Sequence, residues 1–319
     1  MATSPFLVPD RSQAQTAIEI TVTVLLFILA VCGNVIVCFA VYKKSNLRTI
    51  PNAFFLNLAV SSLLLALSQL PVLVNTIVRE EWSFGESFCH FYAFLDIVLF
   101  ATSLFTLTAI SVNRYYKIVK PNRYGKFFFK KSVIFQVTLI WFSAIALCSG
   151  PFFGWGKYQF IPFKSLCSIA ENSHSSFRIT SSVLVCCCIF MTIVCYIKIA
   201  QFVRHHRRWV MVQNKETQNE DPLQLTRAGP SRATRDPQEL RGEEVHIART
   251  VSVIVVLFCL CWLPNMVLDI LVSRGVHVTR EVRMFGVYMM FLDVVINPAV
   301  YIIRNREIRD MMKRLFCRD

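Results

Sequence analysis

The chain has 319 residues, 55% of them hydrophobic and only 17% charged, with a formal net charge of +14. That balance is too apolar for a soluble domain of this size and implies membrane spans. The positive charge does not indicate a nucleic-acid binder, because the basic residues cluster at the ends of apolar runs rather than along one stripe.

Seven apolar runs follow one another at 17–42, 52–78, 89–117, 132–153, 177–201, 247–272 and 282–303. Each exceeds the length of about 17 residues that crosses a bilayer as a helix. Helices are the open-ended way to satisfy the backbone in lipid. The predicted fold class is an all-α membrane protein, a seven-transmembrane helix bundle over 17–303 preceded by an extracellular segment 1–16. The first run is too long for a signal-peptide core, so no cleavable leader is expected.

The first run is followed by Lys43, Lys44 and Arg48, and the third by Lys117, Lys120, Arg123, Lys126, Lys130 and Lys131. The fifth is followed by Arg204-His205-His206-Arg207-Arg208. The alternate loops are sparsely basic, so the positive-inside rule puts the N-terminus outside and the C-terminus inside. The third run carries Asp96 near its outer end and Arg114 near its inner end, about five helical turns apart. Charges at membrane depth are costly and mark function. Asp96 is expected to face an outer cavity and Arg114 the cytosol.

The segment 202–246 reads as a cytoplasmic loop, with a polar, aperiodic stretch at 209–243 read as a mobile linker. After the last run, 304–319 forms an amphipathic surface helix and short tail: Ile308, Met311, Met312, Leu315 and Phe316 share one face opposite a basic one. Cys317 at its end is a candidate palmitoylation site. Most of the twelve cysteines lie within apolar runs as small hydrophobes, and none has zinc-type spacing, so no metal site is expected.

Local motifs carry a resemblance across nearly the whole chain. They are Gly33-Asn34, Leu56-Asn57-Leu58-Ala59, Trp82-Ser83-Phe84-Gly85 before Cys89, Asn113-Arg114-Tyr115, the lone fourth-span Trp141, Cys261-Trp262-Leu263-Pro264, and Asn297-Pro298-Ala299-Val300-Tyr301. In this order, each in its own span, they resemble the rhodopsin-like (class A) G-protein-coupled receptors. Cys89 opens the third span and Cys167 is the other cysteine expected outside; the resemblance implies a disulfide between them. It implies that Arg114 pairs with Glu244 until the bundle opens, with Asn113 standing where the family has an acid and Tyr115 completing the triplet. Trp262 and Pro264 would form a kinked pivot in the sixth span. Asn297, Pro298 and Tyr301 would distort the seventh, and Tyr196 keeps its expected place in the fifth. Ser62 stands where the second span has an acid, and Cys186-Cys187-Cys188 where the fifth has a proline.

The resemblance implies a receptor, not an enzyme, that binds a small extracellular ligand and activates a heterotrimeric G protein from the plasma membrane, with arrestin and a receptor kinase as further partners. Asp96 matches the ammonium-binding position of aminergic receptors, with Thr180, Ser181, Trp262, Asn265 and Phe291 as candidate contacts. Other stretches are similar to opsins and to melatonin receptors, which stay open as alternatives. No lysine occurs from 282 to 303, and Phe291 occupies the aligned position, so a covalent retinal cofactor is not expected. Thr217, Thr226, Ser231 and Thr234 are the candidate phosphorylation sites, since no hydroxyl follows Tyr301. A seven-span transporter or channel is the reading from a different class; it calls for internal repeats and midplane charge pairs, which the chain lacks.

Overall fold

The computed structural model describes residues 11–170, 175–218 and 237–316, with side chains undescribed at 175, 206–207, 209–218, 237–248 and 314–316. Nine α-helices lie in these residues: α1 (Gln13–Lys43), α2 (Ile50–Arg79), α3 (Glu86–Val119), α4 (Pro121–Phe127), α5 (Lys130–Cys148), α6 (Ser175–Gln218), α7 (Pro237–Ser273), α8 (Arg280–Arg304) and α9 (Arg306–Phe316). Seven are long and apolar enough to cross a membrane; the short α4 and the terminal α9 are not among them. The expected seven-helix bundle is therefore present.

The bundle has an apolar outer surface, as lipid demands, and a mainly apolar interior with polar side chains set within it. Ile134, Phe135 and Phe142 on α5 are each about two-thirds exposed, which suits a hydrocarbon surround. Buried polar side chains are tied across helices instead. Asn34 Nδ2 donates to the Val294 carbonyl at 3.0 Å, Asn57 Nδ2 to Thr106 Oγ1 at 2.8 Å, and Trp141 Nε1 to Asn57 Oδ1 at 2.9 Å. Gly33 lets α1 approach the α8 kink: a Cβ there would stand 3.0 Å from Pro298 Cγ.

Local chemistry sets the helix ends. Ser12 caps α1 in a reciprocal box with Gln15, and Asn305 Oδ1 accepts from the Glu307 and Ile308 amides to start α9. On α9, Ile308 and Met311 turn into the bundle, as its amphipathic pattern predicts. Cys317 lies outside the described residues.

One expectation changes: α6 and α7 run on through 209–218 and 237–243, where the sequence reads as linker. No glycine or proline interrupts α6, and Pro237 suits the first turn of α7. Residues 219–236 lie outside the description. The expected all-α bundle carries one short addition. An antiparallel hairpin, β1 (Tyr158–Ile161) and β2 (Leu166–Ile169), sits between α5 and α6, with Phe160 opposite Cys167. The proline-free Cys186–Cys188 stretch lies within continuous α-helix.

Candidate functional site

The hairpin closes over the end of the bundle where α3 begins. Cys167 in β2 is disulfide-bonded to Cys89 in α3, so the pairing expected from the resemblance is present. The turn between the strands is held by side chains from two helices. Arg280 donates to the Pro162 carbonyl at 2.6 Å and to Ser165 Oγ at 2.7 Å, and Thr76 Oγ1 donates to the Ser165 carbonyl at 2.5 Å. Ser165 takes a left-handed backbone (φ 52°) to make this turn. Arg280 also pairs with Glu19 at 3.0 Å, and Glu19 with Arg11 at 2.9 Å. Arg11 reaches Glu80 at 2.7 Å. The buried cations thus have anionic partners, which burial of charge requires.

Beneath the hairpin is a cavity of about 220 Å³. Its lining follows helical spacing: Asp96 and Phe100 on α3, Ser181 and Val185 on α6, Trp262, Asn265, Met266 and Asp269 on α7, and Met290 on α8. Asp96 is 7% exposed, and its Oδ1 has no hydrogen-bond partner among the described residues. Trp262 forms part of the wall, its ring 4.0 Å from that of Phe100 between centroids.

The structure brings Asp96, Ser181, Trp262 and Asn265 to this one cavity and leaves two expected contacts outside it. Thr180 is exposed on the outer face of α6, one residue from Ser181; a 100° step per residue turns it away, and Ser182 lines the cavity instead. Phe291 is fully enclosed in the helix core, while its neighbours Val287 and Met290 reach the cavity. Ser181 Oγ is already bonded to the Phe177 carbonyl at 2.9 Å.

Sequence reasoning missed Lys164, Asp269 and Arg280. Lys164 projects from the hairpin turn with its side chain 3% exposed, and Nζ donates to Asn265 Oδ1 at 2.9 Å and to Asp269 Oδ1 at 2.5 Å. Nothing in their spacing along the chain marks these residues as neighbours. The available signal was one of two lysines, Lys157 and Lys164, in an otherwise sparsely basic loop.

Below the cavity, Asp293 on α8 accepts from Trp262 Nε1 at 3.4 Å and from Asn297 Nδ2 at 3.0 Å. Pro264 and Pro298 lie inside α7 and α8. At the opposite end of the bundle Arg114 is fully enclosed. Asn113 Nδ2 turns to Tyr124 Oη at 3.3 Å, and Tyr115 packs near Ile118 and Ile199. Tyr301 Oη donates to Asn52 Oδ1 at 3.0 Å and its ring stacks on Phe55. Ser62 is buried in α2. Glu244 and Thr217 fall on the helical backbones of α7 and α6, but their side chains lie outside the description, as do Thr226, Ser231 and Thr234.

Residues 33–301 match the profile of the 7 transmembrane receptor (rhodopsin family). The chain is 26% identical to mouse G-protein coupled receptor 161 over 307 residues, which is 91% of the chain and 56% of the relative. It is 29% identical to human melanopsin over 315 residues, covering 95% of the chain and 62% of the relative. It therefore spans less than two-thirds of the length of these relatives. Squid rhodopsin superposes with a TM-score of 0.79 at 23% identity, over 99% of this chain and 91% of that one, a likeness of fold. The profile match covers most of the chain, and the protein belongs to the rhodopsin-like family of seven-transmembrane receptors.

Proposed function

We propose that the protein is a plasma-membrane receptor, N-terminus outside, that binds a small ammonium ligand on Asp96 and activates a heterotrimeric G protein. The observation that carries the ligand class is the Asp96 carboxylate: it is buried, faces the cavity, and keeps an oxygen without a hydrogen-bond partner among the described residues. Leaving such an atom unsatisfied costs about 1–3 kcal/mol, a cost that a ligand N–H donor would remove. Lys164 takes Asp269, which leaves Asp96 as the carboxylate that a ligand ammonium would meet. Trp262 links the cavity to the layer beneath, since it borders the ligand space and bonds Asp293. Only differential affinity for two states shifts a population, and this ring is placed to feel an occupant.

The relatives named as melanopsin and rhodopsin raise an opsin-like reading. The seventh-span position that would need an amine carries Phe291 and lies outside the cavity lining, so a covalent photopigment is not proposed. The test is a ligand panel of amines, melatonin-like indoles and retinoids read out by G-protein dissociation. An amine should activate, and Asp96→Ala should abolish that response. A response that survives the substitution removes Asp96 from the site.

A further inference from the structure

The outer end of the cavity already holds a cation that belongs to the chain. Lys164 buries its stem and ammonium, and the ammonium is bonded to Asn265 and Asp269, one and two turns outward of Trp262 on α7. An ammonium carries three donors and no acceptor, and burying it without anionic partners is costly. The turn that presents it has little freedom to withdraw, being held by Arg280, by Thr76 and through the Cys89–Cys167 disulfide. Lys164 is therefore a fixed part of the cavity wall.

This arrangement places two carboxylates in one cavity, Asp96 within and the half-exposed Asp269 at the mouth, with a single resident ammonium on the second. A ligand with one ammonium pairs with Asp96. A ligand with two would set its second charge against Lys164. We propose that Lys164 is a tethered ammonium filling a cation subsite made by Asn265 and Asp269, and that it restricts the cavity to compact monoammonium ligands and excludes alkyl diamines. The subsite itself rests on the Lys164 contacts alone; the monoammonium preference also rests on the amine reading of Asp96.

The test uses the full chain, purified in nanodiscs, with thermal unfolding measured against butylamine and cadaverine. In the wild type butylamine should raise the melting temperature saturably, and cadaverine should bind no more tightly. Lys164→Ala should lower the melting temperature, butylamine should restore it, and cadaverine should bind about tenfold more tightly than butylamine. Adding Asp269→Asn to Lys164→Ala should cut the butylamine shift back to the wild-type size, the part that Asp96 supplies. Adding Asp96→Asn to Lys164→Ala should remove only the cadaverine advantage.

Lack of rescue in Lys164→Ala, or an equal cadaverine advantage in the wild type, overturns the proposal. A wild type unmoved by butylamine, together with an Asp269-dependent rescue, sinks the amine reading of Asp96 and upholds the tethered ammonium. Should Lys164→Ala not fold, Asp269→Asn reads the same subsite. Released from Asp269, Lys164 should compete for Asp96 and weaken butylamine about tenfold; unchanged binding overturns the proposal.

Discussion

Trp262 on α7 donates its indole N–H to Asp293 on α8 at 3.4 Å, and the same carboxylate accepts from Asn297 at 3.0 Å through its other oxygen. One buried acid thus joins the ring that borders the cavity to the Asn-Pro kink beneath it. Asp293→Asn turns one of the two accepting oxygens into an NH2 donor, which then faces either the Trp262 or the Asn297 N–H. The variant should lose about 1–3 kcal/mol of stability and show raised basal signalling as the ring is released. Thermal unfolding and ligand-free G-protein dissociation read the two effects; an unchanged basal signal would show that the bond does not restrain the pivot.

Asn113 stands beside Arg114 and is turned to Tyr124 in α4. Asn113→Asp adds a carboxylate next to the enclosed guanidinium while a bond from the Tyr124 hydroxyl remains possible. The closed inner face should gain stability, and basal G-protein dissociation should fall about fivefold. Equal or higher basal output in Asn113→Asp would contradict this account.

Gly286 lies where α8 presses on α7. A Cβ there would come within 2.9 Å of Leu268 Cδ1 and 3.3 Å of Asn265 Cα. Gly286→Ala should cost about 1–3 kcal/mol by overpacking, and it should weaken the amine response by shifting Asn265. Gly125→Ala, with no atom within 4 Å of the added carbon, is the control and should change stability by less than about 0.5 kcal/mol. Equal melting temperatures for the two variants would refute the close-packing argument.

The Cys89–Cys167 bond holds the hairpin that carries Lys164. Cys89→Ser, Cys167→Ser and the double variant should each lose about 2–5 kcal/mol, the double no more than either single, because all three remove one crosslink. Additive losses would mean that each cysteine contributes separately by packing.

Much of the site was legible before any coordinates. Asp96 and Trp262 stood out because a charge and a proline-adjacent indole are conspicuous in apolar runs, and the structure brings both to the cavity. Thr180 and Phe291 misled because a one-residue difference on a helix is a 100° rotation, and residue type alone does not report which way a side chain turns. Lys164 was invisible for another reason. A lysine in a loop reads as solvated, and its partner Asp269 lies 105 positions further along the chain.

By itself the sequence determined the seven spans, the class of fold and the family, because hydrocarbon length, backbone hydrogen bonding and local motifs are properties of short stretches. The tertiary structure alone decided which side chains share the cavity. Pairings such as Lys164 with Asp269, Trp262 with Asp293 and Arg280 with the hairpin turn depend on rotation about helix axes and on how a disulfide-held loop is folded inward. Those geometries are set by packing between segments far apart in the chain, and no local pattern encodes them.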